Sequence, residues 1–341
     1  MSSNVRAIAE KANVSVATVS RVINQAENVK SQTRKRVEQV MAEMGITSDE
    51  LVRSTKMDAR IVGILVPDLT NPFFIDVIQG IEDYSDEIGM KTIICHTRDS
   101  DKIETQFLRL LKEIHVCGII ITPASDDDDY VNNEYLNLLS KMKMPIVLVD
   151  RDVKYSKYNG VFIDNEHGAF EATKLLLDNG HRNIAFISGP SNTVSGRGRK
   201  GGYCSAFEYM DVPLREDLIY DGDFSIASGE SITKKILKEH EEVTAIFAAN
   251  NHMTLGCIAE VRNAGLKIPE DMAVVGFDEQ NILTRIGINL TVVERPPKEM
   301  GYQAMKLMTS TLSKKREQAV EQRVILMPRV IVRGSEKFYP R

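Results

Sequence analysis

Residues 61–74 read IVGILVPDLTNPFF. The apolar run Ile61 to Pro67 has the length and composition of a buried strand, and Asp68 to Pro72 supply turn formers where it must end. Phe73 and Phe74 then stand where a strand gives way to a turn. Taken alone, two adjacent phenylalanines are most simply core. The same grammar recurs downstream, and it changes that reading.

Short apolar runs alternate with helical stretches along the rest of the chain: KTIICH, GIIIT, PIVLVD, GVFID, NIAFIS, LIYDG, AIFAA, AVVGF and LTVVE. This alternation predicts parallel sheets covered by helices, and the number of runs suits two lobes better than one sheet. In open α/β sheets ligands bind beyond the carboxyl ends of strands. The residues there form a consistent set: Asn71, Phe73 and Phe74; Asp150 and Arg151; Arg197 and Arg199 in SGRGRKGGY; Asn250 and Asn251; Asp278. Carboxylates accept from hydroxyl pairs, Arg and Asn donate to oxygens, and aromatic faces pack on C–H surfaces, so the set suits a polyhydroxylated molecule such as a sugar. Singly, the Asp residues read equally well as helix caps, the Arg residues as surface charges and Asn250 as a turn former.

The first 60 residues have a different character. They hold 10 Lys/Arg against 7 Asp/Glu, a net +3 in a chain of net −5, which leaves −8 for the remainder. Apolar residues recur at helical spacing at Ile8, Ala9 and Ala12, at Val19, Val22 and Ile23, and at Val37, Val40, Met41 and Met44. Three short helices are predicted, the first two joined by a tight turn at Asn13 to Ser15, with Ser15 a good N-cap: the outline of a helix-turn-helix. On the second helix Val16, Ala17, Ser20 and Arg21 share the face opposite the apolar one. Small residues with one long donor fit a helix entering a DNA major groove, where Arg makes a bidentate contact to guanine. Arg34, Lys35 and Arg36 fall in the first turn of the third helix, against the macrodipole, which makes sense where a phosphate sits. A plain three-helix packing module accounts for the core but not for this charge.

IAEKANVSVATVSRVIN and VKSQTRKRVEQVMAEMG resemble the DNA-binding head of the lactose/galactose repressor (LacI/GalR) family. The resemblance implies that Val16, Ala17 and Arg21 read bases, that Ser15, Thr18, Asn24, Ser31 and Thr33 hold phosphates, and that a hinge follows whose minor-groove positions are Val52 and Thr55. The hinge departs from the family pattern at Ser48, Asp49 and Thr55. VPDLTNPFF, VLVDRD, NGHRNIAFISGP, SGRGRKGGY, AIFAANNHMTLG, IPEDMAVVGFDE and LTVVERP extend the resemblance to the family's two-lobed sugar-binding domain of the periplasmic-binding-protein type. By likeness to the ribose-type members, Asn71, Phe73, Phe74, Asp150, Arg151, Arg199, Asn250 and Asp278 are the effector residues. Asn251 and Glu294 stand where the family often has Asp and Gln.

The expected fold is thus a small all-α helix-turn-helix head, 1–46, a hinge, 47–60, and an α/β effector and dimerisation domain, 61–341. Its first lobe is expected at about 61–163 and 292–323 and its second at about 164–291 and 324–341. The expected function is a cytoplasmic, homodimeric repressor of sugar-utilisation genes that binds pseudo-palindromic operator DNA under control of ribose or a similar small effector. A regulator controlled by a partner protein or a phosphorylated metabolite, and a sugar-binding module without regulation, are the alternatives.

Other chemistries have weaker support. Cys95, Cys117, Cys204 and Cys257 form no Cys-x-x-Cys pair, the six histidines show no metal-ligand spacing, and the acidic run 126–129 lacks the glycine and distal Glu of a calcium loop, so no metal or cofactor is expected. Gly196, Gly198 and Gly201 form a literal G-x-G-x-x-G, but GPSNTVS separates it from the strand it should turn from, which argues against a dinucleotide enzyme. Asp150 and Asp278 superficially mimic a glycosidase pair, but neighbouring arginines keep both ionised, so no enzymatic activity is expected. No apolar run approaches the roughly 18 residues that span a bilayer.

Overall fold

A computed structural model describes residues 3–23, 29–45, 60–124, 138–142, 144–153, 157–313 and 321–339. The head packs three helices, α1 (Ser3–Ala12), α2 (Val16–Ile23) and α3 (Ser31–Glu43), around one small core. Ile8, Ala9, Ala12, Val19, Val22, Ile23, Val37, Val40 and Met41 are buried in it, at the positions whose spacing predicts helices. The Ser15 hydroxyl accepts the amide hydrogen of Thr18 at 3.1 Å, which starts α2 as an N-cap does. Asn24, the hinge with Val52 and Thr55, and the acidic run 126–129 lie outside the described residues.

Two six-stranded sheets follow. The first is built from β1 (Ile61–Val66), β2 (Lys91–His96), β3 (Gly118–Ile121), β4 (Ile146–Val149), β5 (Asn159–Ile163) and β11 (Arg323–Leu326), in the order β11-β5-β4-β3-β1-β2 with every pair parallel. The second comprises β6 (Ile184–Ser188), β7 (Ile219–Asp221), β8 (Ala245–Ala248), β9 (Ala273–Phe277), β10 (Thr291–Glu294) and β12 (Arg329–Ile331). Its order is β12-β10-β9-β8-β6-β7, and only the β10–β12 pair is antiparallel. The central strands, buried on both faces, read as continuous apolar runs, whereas β2 and β7 are half-exposed edge strands that still show as short apolar stretches. The two edge strands near the C-terminus, RVIL and RVI, are also half-exposed, and their apolar stretches 324–327 and 330–332 are separated only by Pro328 and Arg329, with no helical stretch between them.

Those strands correct the expected lobe boundaries. The expected first lobe takes in residues 292–294, but β10 pairs with β9 and β12 in the second sheet, where Val292 and Val293 are buried. The expected second lobe takes in residues 324–326, but β11 pairs with β5 in the first. The chain therefore crosses between lobes after β5, after β10 and after β11.

Helices cover the sheets. In the first lobe α4 (Pro72–Glu87) and α11 (Pro297–Ser313) touch closely, with α5 (Asp101–Glu113) nearby in the chain. Gly80 and Gly301 permit the α4–α11 approach, since a Cβ on either would lie 1.9 Å from a carbonyl oxygen of the facing helix. The second lobe carries α6 (Asn165–Asp178), α7 (Val194–Tyr209), α8 (Ile226–Glu239), α9 (Asn251–Asn263) and the short α10 (Asn281–Arg285). Among the described residues no helix is long and apolar enough to cross a membrane.

Candidate functional site

In each sheet the strand order reverses direction beside the first strand of the lobe, β1 in one and β6 in the other, and these switch points face each other across the space between the lobes. A cavity of about 300 Å³ lies there, lined by residues just beyond the carboxyl ends of strands of both sheets. All eight sequence-predicted effector residues line it: Asn71, Phe73, Phe74, Asp150, Arg151, Arg199, Asn250 and Asp278. A larger cavity of about 630 Å³ lies at the opposite end of the second sheet and contains none of them.

Their local roles differ. Asn71 caps α4, its side-chain oxygen accepting from the Phe73 amide at 3.0 Å, and Pro72 follows at the first helical position, where a missing N–H costs nothing. Asn250 caps α9 through the Met253 amide at 2.8 Å and donates to the Phe224 carbonyl at 2.9 Å. Arg151 is held against the first lobe, donating to both carboxylate oxygens of Asp99 and to the carbonyls of Pro123 and Ala124. Arg199 is 3% exposed and donates to the Asn165 side chain at 2.9 Å and to the Ala249 carbonyl at 2.5 Å, with its guanidinium 3.9 Å over the Phe277 ring. Burial, and then repulsion from Arg295, pull the Arg199 pKa down to about 9, so it stays charged at neutral pH.

Asp150 and Asp278 occupy equivalent places in the two lobes. Each follows a strand end in the left-handed region, with φ of 66° and 73°, and each donates its amide to the next strand, Asp150 to Val161 and Asp278 to Val293. Asp tolerates this conformation better than most residues, yet it costs energy, and such outliers cluster at functional sites. The turn brings both carboxylates to one group that the sequence reading did not single out.

That group is Arg295. Its Nη1 donates to Asp150 at 2.6 Å, and its Nε and Nη2 donate to the two Asp278 oxygens at 2.5 and 2.8 Å. The guanidinium lies 3.5 Å from the centre of the Phe73 ring. Burial alone would lower the Arg295 pKa, but Asp278 and Asp150 outweigh it and hold the value above its ordinary level. Glu294, which stands where the family often has Gln, pairs instead with Arg329 of β12 and does not line the cavity. The strand-end rule that selected the other residues extends to Arg295, one residue past the run LTVVE. Removing one member of a buried ion pair costs about 3–5 kcal/mol, more than the roughly 1.5–3 kcal/mol of one charge-assisted hydrogen bond. A ligand hydroxyl therefore displaces this arginine only at considerable cost.

The aromatic walls also differ from expectation. Phe73 and Phe74 pack edge to face, with ring centres 5.0 Å apart, and are 4% and 6% exposed. Both touch the cavity, but Arg295 covers one face of Phe73. Phe224, at a φ of 66° in the loop before α8, adds an aromatic that no apolar run announces. Asp68, half-buried, and Asp223, exposed, also line the cavity, while Arg197 turns towards the Ser191 carbonyl and is absent from the lining. Across the cavity Asn251 donates to Asn71 at 2.8 Å, so the two lobes touch directly.

On the head, Ala17, Ser20 and Arg21 are exposed on one face of α2, and Val16 is partly buried against the core. Thr18 shares a 2.8 Å hydrogen bond with Ser15. Ser31 is exposed and Thr33 half-buried at the start of α3, whose N-terminus has no side-chain cap and no acidic residue in its first turn. Lys35 and Arg36 are exposed there. A helix start of this kind presents free amides and positive charge to an anion.

Comparison with known proteins agrees with this division. Residues 59–333 match the family described as periplasmic binding proteins and sugar binding domain of LacI family, and residues 4–48 match bacterial regulatory proteins, lacI family. The HTH-type transcriptional regulator DegA of Bacillus subtilis is 33% identical over 336 residues, covering 98% of each chain. The solved complex of transcriptional regulator CelR with cellobiose has a TM-score of 0.73 at 28% identity, covering 97% of this chain and 99% of the other. A LacI family regulator from Enterococcus faecium with bound ribose has a TM-score of 0.70 at 28% identity, covering 81% of this chain and 98% of that one.

Proposed function

The chain belongs to the LacI family of DNA-binding transcription regulators, and from that premise we propose that it is a repressor of sugar-utilisation genes controlled by a small sugar bound between its lobes. Regulators of this family bind operator DNA and small effectors, typically as dimers. The observation that carries the effector reading is the convergence of Asn71, Asp150, Asn250 and Asp278 from four separate strand ends, with Arg199 from α7, on one cavity of about 300 Å³. That volume is at the small end of ligand pockets, which suits a pentose or hexose. Ribose is the first candidate, supported by the ribose complex of the Enterococcus faecium regulator.

In this reading α2 enters the major groove with Val16, Ala17 and Arg21 towards the bases, and Ser15, Thr18, Asn24, Ser31 and Thr33 hold the backbone. Val52 and Thr55 belong to the hinge that meets the minor groove. Two copies read the two half-sites of a pseudo-palindrome. The effector changes operator affinity only through different affinities for the two lobe arrangements.

A thermal-shift screen of the full chain against pentoses, hexoses and their phosphates tests this, because a bound ligand stabilises by mass action. The expected result is stabilisation by one sugar class, lost in Arg199→Ala, together with a change in operator affinity. Stabilisation that survives Arg199→Ala would place the ligand elsewhere and sink the assignment.

A further inference from the structure

We propose that Arg295 is a resident competitor of the effector, an internal cation that holds the lobes together in the empty protein and must be displaced before a sugar reaches Asp150 and Asp278. This rests on the effector reading of the cleft. Arg295 follows β10 at a point where the chain crosses from the second lobe to α11 of the first. Its two carboxylate partners come from different lobes, Asp150 from beyond β4 and Asp278 from beyond β9. One guanidinium thus makes an interlobe bridge of three hydrogen bonds, with all three side chains less than a tenth exposed. The left-handed backbone at both aspartates turns the carboxylates to this shared cation rather than out along their strands.

Two consequences follow from the chemistry. Closure of an ordinary two-lobed binding protein is stabilised by a ligand that touches both lobes; here Arg295 already touches both, so closure does not wait for one. A polyhydroxylated effector needs carboxylate acceptors for its hydroxyl pairs, and the guanidinium holds Asp278 by both oxygens and Asp150 by one. The face of Phe73 that a sugar ring would cover is taken by the same group. Apparent effector affinity is therefore the intrinsic affinity reduced by the fraction of molecules in which the bridge is open. The regulator responds only where the effector is abundant.

Arg295→Gln tests this in the full-length protein, because Gln is neutral, keeps part of the length and can still hydrogen-bond one aspartate. D-Ribose is titrated calorimetrically into wild type, Arg295→Gln and Arg295→Lys, and the ligand-free proteins are compared by small-angle X-ray scattering. Arg295→Gln is expected to bind ribose at least about tenfold tighter and to scatter as a more open molecule without ligand. Arg295→Lys keeps the charge without the fork and is expected to gain less; it also carries the test should the Gln variant fail to fold, since no gain at all in Lys would then overturn the proposal. Equal or weaker ribose affinity in Arg295→Gln, or unchanged ligand-free scattering, overturns it as well. Adding Arg199→Gln separates the two readings: gained ribose binding that persists lies outside the cleft and defeats the effector reading itself, whereas binding that needs Arg199 but does not gain defeats only the competitor.

Discussion

The Asn251 side-chain amide donates to the side-chain oxygen of Asn71 at 2.8 Å, joining the start of α9 in one lobe to the start of α4 in the other. The same Asn71 oxygen caps α4 by accepting from the Phe73 amide. One atom therefore serves a local helix start and a contact between residues 180 positions apart. Asn251→Ala removes the interlobe donor and leaves the cap. It is expected to lower stability by about 0.5–1.5 kcal/mol, with the coupling to Asn71 isolated by a double-mutant cycle in denaturant unfolding. A coupling indistinguishable from zero would show that the lobes do not use this contact in solution.

Arg199→Ala and Asp278→Ala look equivalent in sequence, and the structure separates them. Arg199 has neutral partners, Asn165 and the Ala249 carbonyl, so its removal leaves no orphaned charge. Its loss is expected to weaken the effector response with operator binding retained, as read by mobility shift with and without sugar. Asp278→Ala instead strips Arg295 of its bidentate partner and is expected to destabilise the fold by about 3–5 kcal/mol. Chemical denaturation of the two variants checks the difference, and a stable Asp278→Ala protein would contradict the account of the bridge.

The same contrast shows what was legible in the sequence. Strands buried on both faces announce themselves as apolar runs, and residues just beyond them line the cleft because parallel topology aligns their carboxyl ends. Arg199 reaches the cleft from the second turn of α7 instead, whereas Asn71, Asp150, Asn250 and Asp278 were found in this way. Arg295 was not, because a charged residue before two prolines reads as surface until two distant carboxylates are seen to converge on it. Phe224 sits in a loop whose left-handed backbone leaves no periodic signature, and Arg151 gave no sign that Asp99 would claim it. Strands β11 and β12 escape the strand–helix alternation because only Pro328 and Arg329 separate their apolar stretches and no helical stretch lies between them, and the crossing points escape with them.

In the head, Arg21 is exposed on the outward face of α2 and belongs to no core contact. If Arg21 reads a base as proposed, Arg21→Ala is expected to lose about 1–3 kcal/mol of operator discrimination, while effector-induced thermal stabilisation is unchanged. Titration of operator and scrambled DNA, beside a thermal-shift measurement with sugar, gives both quantities. Loss of the thermal response along with operator binding would assign Arg21 to folding instead.

The α4–α11 contact predicts a stability effect remote from both sites. At Gly301 a Cβ would fall 1.9 Å from the Val77 carbonyl oxygen, and backbone cannot move aside as a flexible side chain does. Gly301→Ala should therefore force the helices apart and cost about 1–3 kcal/mol or more, although Ala is the better helix former. Gly45→Ala is a useful comparison, since nothing lies within 4 Å there and only its φ of 64° opposes the change. Equal stability of wild type and Gly301→Ala in urea unfolding would mean that the helices are not in contact as described.

His181 gives the second lobe a pH dependence whose sign can be worked out. The ring is 1% exposed, its Nε2 hydrogen donating to the Glu336 carbonyl at 3.1 Å and its Nδ1 accepting from the Thr244 hydroxyl at 2.8 Å, an arrangement that suits the neutral ring. Burial is the main influence and lowers the pKa, and nearby Arg182 adds to it, against the carbonyls of Glu336 and Lys337 and the Glu336 carboxylate. The folded value thus lies below the ordinary one near 6.5. Between the two values the unfolded chain holds more protons than the native one, so stability is full above about pH 6.5 and falls as pH drops towards the folded value. Because His181 ties α6 to the C-terminal segment that also carries Phe338, packed edge-on against its ring, the loss should appear as early release of that segment. Melting temperatures of wild type and His181→Gln between pH 7.5 and 5 check this: the variant should start lower at pH 7.5 and fall less steeply, and parallel slopes would show that this histidine does not titrate on unfolding.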